Sequence, residues 1–319
     1  MHLEPISTSG LADRPDLAAS TRRRARTGDL LRLHRGLYVD GDDWAAAAEH
    51  ERHRLFLQSV VPKLADGLVV SHRSAVALHG LPWIGSFGER VVVTDPERDR
   101  GQVKRSVERI GSAGRRPSTV SVDGLPVTDL VGTAVDVALR EHPWRAIVVL
   151  DSVLRRGVSR SELLAEAEGR RARNHRRARD LLEHANADAE SPGESITRWG
   201  AHVLGAPMPV LQHSFRHDGV LVDRVDLWFP AQRVVVEFDG RSKYVDPGLR
   251  NGRTAAEVLF DEKRREDRIR RRPDVHGFAR VTWADAMPGG QLPRRLSDAG
   301  VPLGEGWAAA WRAAAHRAL

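Results

Sequence analysis

The stretch from Gln212 to Asp239 leaves this chain the least conformational freedom. "QHSFRHDGVLVDRVDLWF" reads as two strands joined at Asp218-Gly219, a strong hairpin dipeptide. "RVVVEFDG" is a third strand, reached through the short link at Pro230-Ala231. A two- or four-residue turn there pairs Phe229 with Gln232 or, in the same register, Trp228 with Arg233. That register places Val225, Leu227, Phe229, Val234, Val236 and Phe238 on one face. All six are apolar, and a slip of one residue would turn every one of them to water. The opposite face then carries Asp226, Glu237 and Asp239.

Three carboxylates on adjacent strands repel one another, and each resists ionising. Such a cluster needs a compensating cation. A hard divalent ion with oxygen ligands is one answer, and Mg²⁺ or Mn²⁺ suits phosphate chemistry. Arginines are the other, supplied by Arg224, Arg233 or Arg241 on a solvated sheet face.

Composition narrows the field. The 319 residues include no cysteine, which excludes a disulfide scaffold, a thiolate metal site and a Cys nucleophile. No apolar run approaches the roughly 18 residues of a membrane helix, and the opening Met1-His2-Leu3-Glu4-Pro5 lacks a signal-peptide layout, so a soluble cytoplasmic protein is expected. There is no GxxxxGK[ST] loop and no nucleophile elbow. The net charge of +7 points weakly to a polyanionic partner. Only four of the basic residues are lysines, Lys63, Lys104, Lys243 and Lys263, so each lysine is of interest as a group able to give up a proton.

Near the N-terminus the chain reads as helix, turn, helix, hairpin. Leu11, Leu17 and Ala18 line a short helix, and Ser20-Thr21 caps a second one bearing Arg22, Arg23, Arg24 and Arg26. Gly28-Asp29 ends it. "LLRLHRGLYVD" then turns at Arg35-Gly36, with Arg32 and Arg35 between apolar positions. That order is a winged helix-turn-helix whose arginine helix enters a DNA groove while its hairpin touches phosphates. A solvated basic helix beside an ordinary hairpin is the plainer alternative. Further on, Ser71 starts a helix that Gly80-Leu81-Pro82 stops; its histidines, His72 and His79, read as packing or hydrogen-bonding residues.

Two family resemblances follow from quoted stretches. "GDLLRLHRGLYV", "SHRSAVALHGLPW", "VDGLPVTDLVGTAVDVALR" and "AIVVLDSVLRRG" together resemble the N-terminal half of type IV antitoxin-like proteins of the AbiEi kind, over about residues 7–165. This implies a winged helix-turn-helix with a regulatory companion, DNA as partner, and a cognate toxin. The stretch 192–285 resembles the PD-(D/E)XK nuclease superfamily, in the branch related to very-short-patch-repair endonucleases. The resemblance implies a core of helix, three strands, helix and strand, with Asp226 and Glu237 as the two motif acids and Glu194 as the helical one. It also implies a Mg²⁺ or Mn²⁺ ion on these residues and on the Phe238 carbonyl. The motif lysine position, two after Glu237, holds Asp239; Lys243 or Lys263 is then a substitute. Arg264 or Arg268, on the charged helix at 254–272, would hold a scissile phosphate. Glu194 has a second explanation, because Ser191-Pro192-Gly193-Glu194 is also a capping box.

The expectation is therefore a multi-domain α/β protein. A winged helix-turn-helix at 1–44 precedes an α/β companion domain at 45–150. A charged helical linker at 151–190 leads to a restriction-endonuclease-like αβββαβ domain at 191–285, and a tail helix closes the chain at 286–319. The leading function is a DNA-binding protein with a Mg-dependent endonuclease domain, in which Asp226, Glu237, Asp239, Lys243 and Glu194 do the chemistry. The alternative is an antitoxin-like transcriptional repressor whose nuclease-like domain is inactive. A third reading makes 45–150 the surface that neutralises a toxin.

Overall fold

The computed structural model describes residues 3–8, 14–34, 36–170, 174–217, 220–240 and 255–316. From the N-terminus come β1 (Ile6–Ser7), α1 (Pro15–Thr27), β2 (Leu30–His34), β3 (Leu37–Asp40), α2 (Gly41–Ala46) and α3 (Glu49–Val60). Then come β4 (Val69–Val70), α4 (His72–Leu78), β5 (Val91–Asp95), β6 (Gln102–Val103), β7 (Val107–Gly111), β8 (Thr119–Val122), β9 (Leu125–Thr128) and α5 (Leu130–Arg140). Three helices follow: α6 (Pro143–Arg155), α7 (Arg160–Glu168) and α8 (His175–His184). The remainder is α9 (Pro192–Val203), β10 (Val210–His217), β11 (Val220–Phe229), β12 (Val234–Phe238), α10 (Ala255–Arg270), β13 (Gly277–Val281), α11 (Trp283–Ala286), α12 (Leu292–Asp298) and α13 (Trp307–Ala315). No described helix is long and apolar enough to cross a membrane.

The chain divides into two compact units. The first holds residues 1–140 and 161–175, the second 141–160 and 176–319.

In the first unit, β1, β3 and β2 form a three-stranded sheet beside α1. Leu11 lies outside the described residues, and Leu17 and Ala18, expected on the first of two short helices, share one helix with Arg22, Arg23, Arg24 and Arg26. Pro15 opens it at a position where a missing N–H is harmless. Thr21, expected as a cap, instead donates its hydroxyl to the Leu17 carbonyl at 2.9 Å, which satisfies it inside the helix. Gly28, at φ 94°, ends α1 in the left-handed conformation that glycine adopts without strain. A six-stranded sheet follows, in the order β6-β7-β5-β4-β9-β8. Its central strand β5 is buried throughout, and α5 buries eight residues from Gly132 to Leu139.

The second unit carries a four-stranded sheet in the order β10-β11-β12-β13. β10, β11 and β12 are antiparallel, and β13 runs parallel to β12, as a strand returned by a crossover helix must. Phe229 pairs with Val234, Trp228 with Val235 and Leu227 with Val236. The register thus differs by two residues from the expected one. Pro230 cannot continue the ladder, and Arg233 sits at φ 55° with its N–H on the Pro230 carbonyl, so the strand resumes only at Val234. Parity is unchanged, and the six apolar residues on one face are all buried. Trp228 and Val235, of the other parity, are also buried, packed with Phe215, Val225, Ile269 of α10 and Val275.

The stretch read as a charged linker is three helices with fully buried Leu163, Leu181 and Leu182. Its arginines drew attention in the sequence; the leucines between them set the packing.

Candidate functional site

Three arginine side chains line one cleft in the N-terminal part. One helical turn separates Arg22 from Arg26 on α1, so they share a face. Arg32 on β2 joins them, with Thr8, Gly36 and Tyr38, around a cleft of about 760 Å³. Arg23 and Arg24 are also exposed, and Arg24 lies 3.8 Å from Asp40. Asp40 caps α2 by accepting from the Asp42 and Asp43 N–H groups. Arg35 lies outside the described residues. Helix and hairpin thus bring together Arg22, Arg26 and Arg32, three of the six N-terminal arginines that the sequence singles out, as a concave basic surface.

The carboxylates of the four-stranded sheet are held differently. Glu237 receives a two-pronged hydrogen bond from Arg265 of α10, at 2.9 and 3.1 Å. Arg265 also reaches the Arg224 carbonyl at 2.5 Å. Asp226 accepts the Phe238 N–H at 2.8 Å. Arg280 approaches Asp239 at 3.5 Å and donates to Glu266 at 2.9 Å. Glu194 is buried and accepts from the Glu190 N–H, the Ser191 hydroxyl and the Gln212 amide at 2.7–2.9 Å. Burial raises its carboxyl above the ordinary value, and the charge of Asp226 adds to this. The Ser191 hydroxyl in turn accepts the Glu194 N–H, so the cap expected from "SPGE" is present. Its closeness to the strands rests on Gly193, where a Cβ would fall 2.0 Å from the Phe238 ring.

Among the described residues, the cation on Glu237 is Arg265 from the crossover helix, and the one nearest Asp239 is Arg280. Of the arginines expected as the alternative to a metal, Arg224 and Arg233 are not on these acids and Arg241 lies outside the described residues. Arg224 pairs with Glu190 at 2.9 Å. Burial opposes Arg265's charge, but Glu237, with Asp226 and Asp223 nearby, holds it above its ordinary range. Arg268 is engaged by Asp223 at 2.5 and 3.0 Å, and Arg264 lies 5.8 Å from the Phe260 ring. Lys243 and Arg241 fall outside the described residues. Among the described residues, the acidic trio does not gather its oxygens within 4.8 Å of one another. Both Glu237 oxygens are held by Arg265.

A further polar constellation lies in the first unit; the sequence reading singled out its His72 but not Asp136. Asp136 sits on the apolar face of α5, 3% exposed, and accepts from Arg170 at 3.0 Å. His72 faces it across 3.5 Å, at φ 54°, a conformation that side chains rarely adopt. They border a cavity of about 910 Å³ also lined by Glu108, Arg109, Arg115 and Arg140. Glu108 takes Arg73 at 2.8 Å and Arg140 at 3.1 Å, and Glu166 takes Arg115 and Arg170 at 2.5 and 2.7 Å. Burial pushes Asp136 up to about 6, while Arg170 and the His72 backbone N–H pull the other way. Burial holds His72 well below its ordinary value. Its ring meets the Ser71 hydroxyl at 2.9 Å and the His79 ring meets the Thr128 carbonyl at 2.7 Å, so both histidines serve as hydrogen-bonding residues. The available signal was one acid inside "LVGTAVDVALR", an otherwise apolar helix.

Residues 68–184, which include this constellation, match the family model described as the AbiEi antitoxin C-terminal domain. Two uncharacterized proteins of Mycobacterium tuberculosis, Rv2248 and MT2308, are each 33% identical over 173 residues, covering 50% of this chain and 62% of theirs. The match thus spans less than two thirds of those relatives. The crystal structure of the RV2827C protein from Mycobacterium tuberculosis aligns over 60% of this chain and 74% of its own, at 17% identity and a TM-score of 0.36.

Proposed function

We propose that this chain is an antitoxin-like, DNA-binding regulator of the cytoplasm, working with a cognate toxin. The match of residues 68–184 to the AbiEi antitoxin C-terminal domain carries this reading. The arginine cleft supports the DNA half of it. In this reading the first unit begins with a winged helix: α1 is the recognition helix, β2–β3 is the wing, and Arg22, Arg26 and Arg32 take phosphates, with Arg23, Arg24 and Arg35 as flanking contacts. Exposed arginines in a concave surface release counterions on binding and make affinity steeply salt-dependent.

The test is a mobility shift on the DNA upstream of the protein's own gene, over a salt series. An Arg22→Ala/Arg26→Ala variant is expected to bind at least about tenfold more weakly and to lower the salt slope by about 2, one for each lost phosphate contact. Arg116, 78% exposed and paired with Glu97, serves as the control site for an alanine change without effect. Equal binding by the parent and the double variant would remove α1 from the interface.

A second reading is Mg²⁺- or Mn²⁺-dependent phosphodiester hydrolysis. It is favoured by the placement of Asp226 within β11 and of Glu237 and Asp239 at the C-terminal end of the adjacent β12, in an element order of helix, three strands, helix and strand. Asp226, Glu237 and Glu194 would hold the ion, Asp239 or Lys243 would position water, and Arg264 or Arg268 would take phosphate. Arg265 would first have to leave Glu237. Incubation of DNA with the protein and Mn²⁺, beside an Asp226→Ala/Glu237→Ala variant, decides between the two. Cleavage confined to the parent protein would establish hydrolysis. Equal, background-level cleavage would leave the regulator.

A further inference from the structure

The geometry points to a zinc-class cation site on α8 and α9, formed by Asp180, His184 and His202. Asp180 and His184 are four residues apart on α8, so their side chains share one face. His202 approaches from the last turn of α9. The Asp180 Oδ1 lies 3.1 Å from His202 Nε2 and 3.2 Å from His184 Nδ1. Four ligands at about 2.0–2.1 Å from a tetrahedral ion stand roughly 3.3 Å apart, so these two separations are already those of a coordination tetrahedron. Among the described residues, this is the one group of three His, Asp or Glu side chains whose ligand atoms gather within 4.8 Å.

The donor set chooses the ion. Two imidazoles and one carboxylate suit Zn²⁺ and its neighbours, whereas Mg²⁺ prefers oxygen and keeps its water. The three side chains are 27–44% exposed, which leaves an open side for water as the fourth ligand. The positive charge of Arg198, which donates to the His184 carbonyl, is neutralised by Asp151 at 2.8 and 2.9 Å. His184 Nδ1 donates to the Asp180 carbonyl at 2.8 Å. Binding therefore requires that proton to move to Nε2, the other tautomer of a neutral imidazole. The ion would fasten α8 to α9 within the second unit, where the His184 and His202 rings already lie 3.7 Å apart.

The full-length protein, free of any polyhistidine tag and stripped with EDTA, is titrated with ZnCl₂ by calorimetry and melted with and without Zn²⁺. One Zn²⁺ per chain is expected, with a melting temperature raised by about 3 °C or more at saturation and no response to Mg²⁺. Co²⁺ is expected to quench the fluorescence of Trp199, whose ring lies 4.9 Å from that of His202. His202→Gln keeps a donor toward Asp180, so its metal-free melting should match the parent's, while its Zn²⁺ affinity falls at least about tenfold. Asp226→Ala/Glu237→Ala should leave Zn²⁺ uptake intact, which separates this site from the proposed nuclease acids. The assignment is overturned if the parent takes up no Zn²⁺, or if uptake survives unchanged in a His184→Gln/His202→Gln variant.

Discussion

Replacing Asp151 with alanine is expected to destabilise the second unit by about 3–5 kcal/mol. Asp151 and Arg198 are each 1% exposed, one on α6 and the other on α9. Arg198 grips both carboxylate oxygens at 2.8 and 2.9 Å, and the Asn186 N–H adds a third bond at 2.7 Å. Removing the carboxylate leaves a guanidinium in the interior with no counter-charge. Asparagine at 151 would keep the bond from Asn186 but not the charge, so it should cost nearly as much. Burial nonetheless raises the Asp151 carboxyl above its ordinary value despite Arg198. The pair joins α6 to α9, and its role is to fix how the two helices meet. An Asp151→Leu/Arg198→Met variant should therefore regain most of the loss. Denaturant melts followed by tryptophan fluorescence check both, since six of the eight tryptophans lie in this unit. A loss under about 1 kcal/mol for the single change would mean that Arg198 finds water or another acid.

The second large effect is acid destabilisation of the first unit. His53 is 4% exposed, its ring stacked on Phe87 with centroids 5.0 Å apart. Ser74 Oγ accepts the Val92 N–H, so its own proton points to His53 Nε2 at 2.9 Å, an arrangement made for a neutral ring. Burial, with the charge of Arg73, lowers His53 from 6.5 to about 3, and burial lowers His72 well below 6.5. Between pH 3 and 6.5 the unfolded chain therefore binds protons that the folded unit refuses, and stability rises with pH across that window. The His53 contribution alone, fully present above 6.5 and fading toward 3, is on the order of 5 kcal/mol. Asp136 works in the opposite sense. Its carboxyl, raised from 3.8 to about 6, makes the folded unit the better proton binder in that interval, so its contribution falls as pH rises there. The net slope is set by two histidines against one acid and should stay positive. Unfolding free energies at pH 5 and pH 7 should differ by more than 1 kcal/mol in the parent and by much less in His53→Gln. Identical pH profiles for parent and variant would show that His53 is not the buried base.

Much of the second unit was legible because period-two patterns with apolar residues on one face permit few alternatives. Leu227, Phe229, Val234, Val236 and Phe238 keep their expected parity although the pairing was two residues off, whereas Val225 packs with Trp228 and Val235. "SPGE" announced the start of α9, because a cap is a contact within four residues. The N-terminal hairpin was legible for the same reason. The helices before it were not: Ser20-Thr21 looks like a cap in isolation, yet Thr21 is satisfied just as well by the carbonyl one turn back. The partners of the charged residues were the least legible. Arg265 and Glu237 are 28 residues apart, Arg198 and Asp151 are 47, and Arg170 and Asp136 are 34.

The sequence by itself determined the local choices: which residues face inward along a strand, where α9 begins, and that α1 is a helix rich in arginine. These follow from periods of 2 and 3.6 and from caps, whose physics acts within one turn. Only the tertiary structure decided that Glu237 meets Arg265 and Asp239 meets Arg280, that Arg22, Arg26 and Arg32 share a cleft, and that two histidines and an aspartate from neighbouring helices converge. Coulomb and coordination energies depend on distances through space, and a chain with 46 arginines offers too many candidate partners for spacing along the sequence to choose among them.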